Sequence, residues 1–451
     1  MRATGLERSA VLWQTVILAA GGVCIFPTLA DAILLRWLPD PVLRFVFQDP
    51  SISLSAQAIA YRVCAMLLCA ALGYAASRRF GSSLATDPAR PLINAVAAFA
   101  AFCLVECLFV HRFPPPAYYL SWLFVTYSLY FGVVSIFTRE RAIRTCELLA
   151  VMITLQSGYA VATYLGHGHQ FHTPGFGDRA MGMYRTPNTL YPLCLLGLTF
   201  AYGLGQSPGQ SGRNALWHSF AVINLAALAL TFTRAGWIGA AVAALYFVWI
   251  AARQGAWRAS GVTALIVACA LLCATLFVRT GGHWIGNRAD RSFWGRVEIW
   301  RVGCDIVRRH PLLGVGIGEY GPEQNLAMTP ALARLDPLNE EAKSLYLNVA
   351  VECGLIGLGL LALIVVAYVR CGAWYLAQRR EPPGPLLGLH AGILSILVAG
   401  LFDTPILQEG RLPSTFCFFI WLAAIAVSYR GRNPEGLSVD EKDANVPRHN
   451  A

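Results

Sequence analysis

Charge is what this sequence has least of. Charged residues make up 13% of its 451 residues and hydrophobic residues 56%, whereas a soluble domain carries about 25% charged residues. So little charge excludes a soluble domain with one core. The thirteen cysteines lie singly, mostly inside apolar runs, with no Cys-x-x-Cys pair. That argues against a disulfide framework and a metal site, and for small buried apolar residues. No internal repeat is visible, which counts against an inverted-repeat transporter. The formal net charge is +10, yet no basic stripe is interleaved with exposed aromatics, so no nucleic-acid partner is expected.

What is present is a recurrence of apolar runs. Each is near the length of about 20 residues that spans a bilayer as a helix, the form that satisfies its own backbone. Candidate spans are 11–30, 55–76, 92–110, 117–137, 146–165, 187–204, 216–232, 235–251, 261–278, 344–369, 386–402 and 412–429. The fold class is therefore all-α integral membrane, with about 12 transmembrane helices. Residues 1–430 form the membrane domain and 431–451 a polar, disordered cytoplasmic tail. Arg2 and Arg8 precede the first run, whose length favours an uncleaved helix over a signal peptide.

Cations set the orientation. Arg78, Arg79 and Arg90, then Arg139, Arg141 and Arg144, then Arg213, Arg253 and Arg258, then Arg370, Arg379 and Arg380 fall in alternate loops. The positive-inside rule makes those loops and both termini cytoplasmic, in a multi-pass protein of the bacterial inner membrane. The pattern requires two helices around Thr233 and Arg234, because a single helix would place Arg370, Arg379 and Arg380 outside. One long loop, 279–343, then lies between helices 9 and 10 on the periplasmic face. Long loops of this kind are usually functional. Inside it, Ser292 caps a predicted helix to about His310, with Val297, Trp300, Cys304 and Val307 on one face, ended by Pro311 and the glycines after it. Residues 166–186 read as a short polar loop containing His167, His169 and His172.

Four segments reach the external face in this topology. They are Arg179-Ala-Met-Gly-Met-Tyr-Arg-Thr-Pro-Asn188, Thr231-Phe-Thr-Arg-Ala-Gly236, Gly295 to Tyr320, and Lys343 to Gly357. Their shared content is cationic: Arg179, Arg185, Arg234, Arg296 and Arg301. A guanidinium binds phosphate oxygens in pairs, so these residues suit a diphosphate, although Arg at a helix end also snorkels to headgroups. Gly316 and Gly318 of the Gly-Val-Gly-Ile-Gly run allow close backbone approach, or simply make a helix-ending turn. No predicted strand precedes that run, so a dinucleotide site is not supported.

Together the order and placement of these segments resemble the superfamily of O-antigen ligases and O-antigen polymerases, polytopic glycan transferases with a large external loop between late helices. The resemblance rests on residues 179–357. It is carried by Arg179, Gly182, Pro187 and Asn188; by Thr233 and Arg234; by Arg296, Trp300, Pro311, Gly314, Gly316, Gly318 and Tyr320; and by Tyr346, Leu347, Glu352, Gly354 and Gly357. It implies an undecaprenyl-diphosphate-linked glycan as donor, an acceptor glycan or lipid A-core, contact with membrane lipids and other polysaccharide-assembly proteins, and no cofactor or metal. The reaction implied is inverting transfer onto an acceptor hydroxyl. Arg234 and Arg296 would stabilise charge on the leaving diphosphate. Arg179, Arg185, Asn188, Arg301, Gly316, Gly318, Tyr320 and Tyr346 would bind donor and acceptor. Lys343, Glu319 and Glu298 remain open as the base.

One departure sets the direction. Ligases open the fourth segment with a His in a His-Asn-x-Tyr-Leu pattern, while this chain reads Lys343-Ser344-Leu345-Tyr346-Leu347. That leans toward a polymerase of O-antigen or exopolysaccharide type. A flippase of lipid-linked glycan is the alternative from another class, with Glu106 and His390 as its intramembrane polar groups.

Overall fold

The computed structural model describes residues 2–26, 89–106, 115–166, 170–173, 177–184, 186–207, 211–253, 291–330, 342–378, 384–408 and 411–429. The predicted spans 55–76 and 261–278, the side chain of Arg185 and the tail lie outside the described residues.

Among the described residues the regular structure is helical apart from one hairpin. Its helices are α1 (Arg2–Ile25), α2 (Arg90–Glu106), α3 (Pro115–Ile136), α4 (Arg139–Leu165), α5 (Pro187–Gly205), α6 (Ser211–Leu230) and α7 (Arg234–Arg253). They continue with α8 (Arg291–Arg309), α9 (Tyr320–Leu326), α10 (Leu345–Gln378), α11 (Gly384–Ala399) and α12 (Leu412–Tyr429). Among the described residues, α4, α7, the Leu345–Ala373 part of α10, and α12 are long and apolar enough to cross a bilayer.

Helices α5 and α12 are apolar on every side, and almost every residue in them is buried. Such helices belong at the centre of a bundle. Helix α5 packs on α6 and α11, α12 on α3, and α10 on α2. Glycines set the α5–α11 spacing: a Cβ on Gly203 would collide with the backbone of Gly384 and Gly388, the small-residue contact that lets membrane helices approach closely. Polar side chains tie α4 to α6, where Ser157 donates to Asn224 Oδ1 at 2.8 Å and Asn224 donates to Thr154 Oγ1 at 2.8 Å.

Three local expectations met different outcomes. Helices α6 and α7 are separate, as the cation pattern required, joined by Thr231, Phe232 and Thr233 with Phe232 at φ 48°. The polar stretch 166–186 contains a hairpin, β1 (Gln170–Thr173) paired antiparallel with β2 (Gly177–Ala180), with Phe171 opposite Arg179. The predicted external helix exists as α8, but its packed face is rotated. Ile299, Val302 and Ile306 are buried while Cys304 is exposed. The inward face follows the small and β-branched residues that can approach α10, where Gly303 meets Leu347.

Candidate functional site

Arg179 is placed by β2 and aimed at the end of α6. A helix leaves its last carbonyls without intrahelical partners, and the left-handed Phe232 turns the Thr231 carbonyl outward. Arg179 Nε donates to that carbonyl at 2.7 Å, and Nη2 donates to Thr233 Oγ1 at 3.0 Å and to Asn188 Oδ1 at 3.4 Å. Thr233 Oγ1 also donates to Asn188 Oδ1 at 3.4 Å. Three motif residues distant in sequence are thereby joined. Burial, with Arg296 nearby, lowers the Arg179 pKa to about 10, while Asp403 opposes the shift. Arg179 remains a cation at neutral pH.

Arg296 reaches the same layer from α8. Its Nη1 donates to the Phe402 carbonyl just beyond α11, a favourable place for a cation because helix C-termini are electronegative. The next residue, Asp403, is fully buried and neither carboxylate oxygen has a hydrogen-bond partner. Its backbone carbonyl accepts from Leu345 N at 3.0 Å, and Gly400 O accepts from the same amide at 2.7 Å. This sets the Lys343–Leu345 turn against Asp403; Lys343 itself has a φ of 50°.

Arg411 closes the layer from the start of α12. It is 1% exposed. Nε donates to Thr404 O at 3.1 Å, and Nη1 donates to Thr189 Oγ1 at 2.8 Å and to Thr186 Oγ1 at 3.4 Å. The result is one end of the bundle where the half-buried Arg179 and Arg296 meet the buried Arg411 and Asp403. Asp403 and Arg411 were missed as site residues in the sequence. The available signal was an acid and a cation in a very short loop between two apolar runs. That identifies a loop but not which helix ends it meets.

An ionised carboxylate buried without hydrogen bonds lowers stability; here only the nearby guanidinium charges offset that cost. Asp403→Asn is therefore expected to leave the thermal midpoint within a few degrees. It should lower the protein's activity by about tenfold or more, the equivalent of one lost charge interaction of roughly 1.4 kcal/mol. Thermal unfolding and turnover measured on the same preparation check it; a collapsed midpoint with normal turnover per folded molecule would assign Asp403 to the scaffold.

The glycine run has a different local role. Helix α10 is broken at Gly354, with φ 62° and ψ −169°. The break frees carbonyls, and the turn after α8 docks into it. Val315 N donates to Val351 O and Gly316 N to Glu352 O, both at 2.9 Å, while Leu355 N donates to Pro311 O at 2.8 Å. Gly314, Gly316 and Gly318 all have positive φ. The Gly316 amide thus anchors the segment after α8 to α10, and that proton is not directed at a ligand.

The remaining candidates are spread around this anchor. Tyr320 and Glu319 are buried, with Tyr320 in the small core under α8 that also contains Ile299 and Val302. Burial and Glu352 push the Tyr320 hydroxyl up. Glu298 pairs with Arg301 at 2.6 Å on the flank of α8, where the Arg301 side chain is 69% exposed, so neither joins the Arg179 layer. Tyr346 donates to Leu397 O at 2.8 Å. Arg234 is the first residue of α7, next to Thr233. Among the described residues no group of His, Cys, Asp and Glu could hold a metal ion.

Residues 219–362 match the family model described as O-antigen ligase. The match includes Arg234, Arg296, Glu319 and Lys343, and stops short of Arg179 on one side and Asp403 on the other. No curated protein matches the chain. The match supports glycan transfer of the O-antigen ligase and polymerase type by a bacterial membrane protein. Residues 219–362 are thus similar to an O-antigen ligase domain, in a chain whose described helices include four long and apolar enough to cross a membrane.

Proposed function

We propose that this protein transfers a glycan from undecaprenyl diphosphate onto an acceptor hydroxyl at the outer face of the inner membrane, as a polymerase of O-antigen or exopolysaccharide repeats. The single observation that carries this reading is the layer of Arg179, Arg296 and Asp403, brought to one end of the bundle from β2, α8 and the α11–α12 turn. A diphosphate is a good leaving group, so the protein has three tasks. It positions the acceptor, takes its proton, and stabilises charge growing on the diphosphate. In a site that excludes water, fixed guanidinium groups serve the last task without reorganisation. Arg234 and Arg296 take that role, with Arg179 holding the α6–α7 turn that presents Arg234. Lys343 stands where ligases have His, which is why the polymerase reading is preferred over attachment to lipid A-core.

Deleting the gene in its host and profiling lipid-bound and secreted glycans tests this. Single repeat units in place of long chains are expected. Full-length chains trapped on the lipid carrier would instead make it a ligase, and an unchanged profile would overturn glycan transfer. Activity of the purified protein is expected to survive chelation of divalent ions, since the proposed charge stabilisation uses Arg; strict dependence on a divalent ion would contradict that step.

A further inference from the structure

At the end of the bundle opposite the arginine layer lies an apolar cleft of about 310 Å³. Its walls come from Leu363, Val366 and Ala367 of α10, Tyr429 at the end of α12, and Pro91 in the first turn of α2. One cation, Arg370, stands among them. The position follows from helix direction. Helix α10 begins at Leu345 beside Asp403 and α12 begins beside Arg411, so Arg370 and Tyr429 lie far along both helices. By the positive-inside rule this is the cytoplasmic leaflet.

We infer that this cleft binds one anionic glycerophospholipid of that leaflet, with its phosphate on Arg370 and an acyl chain along Leu363 and Val366. Two features point to that class of ligand. The walls are apolar and continuous with the exposed Leu363 and Val366 surface, which is 49% and 47% exposed. Arg370 forms no hydrogen bond or ion pair among the described residues, so its donors are open to an incoming phosphate. The first turn of α2 closes the same cleft at Pro91. The Tyr429 hydroxyl is engaged with His390 in the interior, so the tyrosine offers its ring and not its oxygen to the cleft. A zwitterionic phospholipid would bring a phosphate whose charge its own headgroup cation already offsets in part, so it should be held less well.

The test uses the purified full chain and native mass spectrometry with phosphatidylglycerol and phosphatidylcholine as competing probes. The wild type is expected to retain phosphatidylglycerol about fivefold better, the effect of one cation near an anionic headgroup. Arg370→Gln should bring the two lipids to parity, and Arg370→Lys should keep most of the preference. Leu363→Trp should fill the groove and lower retention of both. Phosphatidylglycerol with a photoactivatable acyl chain should label the α10 peptide containing residues 363–371. Equal retention of the two lipids by the wild type, an undiminished preference in Arg370→Gln, or labelling elsewhere would overturn the site. None of these readouts depends on glycan transfer.

Discussion

Arg296→Ala is expected to cut glycan transfer by about 10²–10³-fold, the loss seen when a preorganised donor to developing negative charge is removed. The expectation rests on position. Arg296 lies on α8, yet its guanidinium is drawn to the Phe402 carbonyl at the end of α11 and is close enough to Arg179 to disfavour that residue's charge. Two cations brought close together repel each other. Asp403 offsets part of the repulsion, and an incoming diphosphate would offset more. Arg296→Lys keeps the charge but not the planar fork and should recover only part of the rate. Turnover of a lipid-diphosphate donor by wild type and both variants checks this, with folded amounts matched. Full activity in Arg296→Ala would remove Arg296 from the proposed chemistry and leave it as a cap on α11.

Gly354→Ala is expected to be the most damaging single change to the scaffold. At φ 62° and ψ −169° the backbone occupies a region essentially reserved for glycine. A Cβ there would also overlap the backbone of Leu312 and Gly314, so strain and collision add. A loss of more than about 3 kcal/mol is expected, read as a lowered thermal midpoint and reduced folded yield. Gly359→Ala, five residues further along the same helix, is the control. Its Cβ would meet nothing within 4 Å, and replacing a helical glycine should stabilise by roughly 0.5–1 kcal/mol. Equal behaviour of the two variants would mean that the docked turn does not hold α10 open at Gly354.

These two sites differ in how readable they were. Period and hydropathy gave α4, α7, α10 and α12, and the cation pattern required the break that Thr231–Thr233 makes, because such signals are local. The arginine-rich segments were legible as motifs, and Arg179, Asn188 and Thr233 do meet. Arg301 was indistinguishable from Arg296 in sequence, yet its partner is Glu298 on the same helix. Five residues along α8 rotate a side chain by more than a quarter turn about the axis, enough to move it from the bundle to solvent. The rotated face of α8 has a similar origin, since both faces carry apolar residues and only contact with α10 selects one. The glycine run was read either as close approach to a ligand or as a helix-ending turn. Its observed partner is the broken α10, and pairing between residue 315 and residue 351 has no local signature. Asp403 and Arg411 were hidden for the same reason: what they meet is set by helix ends far away in the chain.

The most direct measurement is photo-crosslinking of a polyprenyl-diphosphate glycan, with the reactive group next to the diphosphate, to the purified full chain. Peptides containing Arg179–Asn188, Thr231–Arg234, Arg296 and Phe402–Arg411 are expected to carry the label, and excess unlabelled donor should remove it. Labelling confined to the opposite end of the bundle, or undiminished by that competition, would contradict the claim that the arginine layer receives the diphosphate.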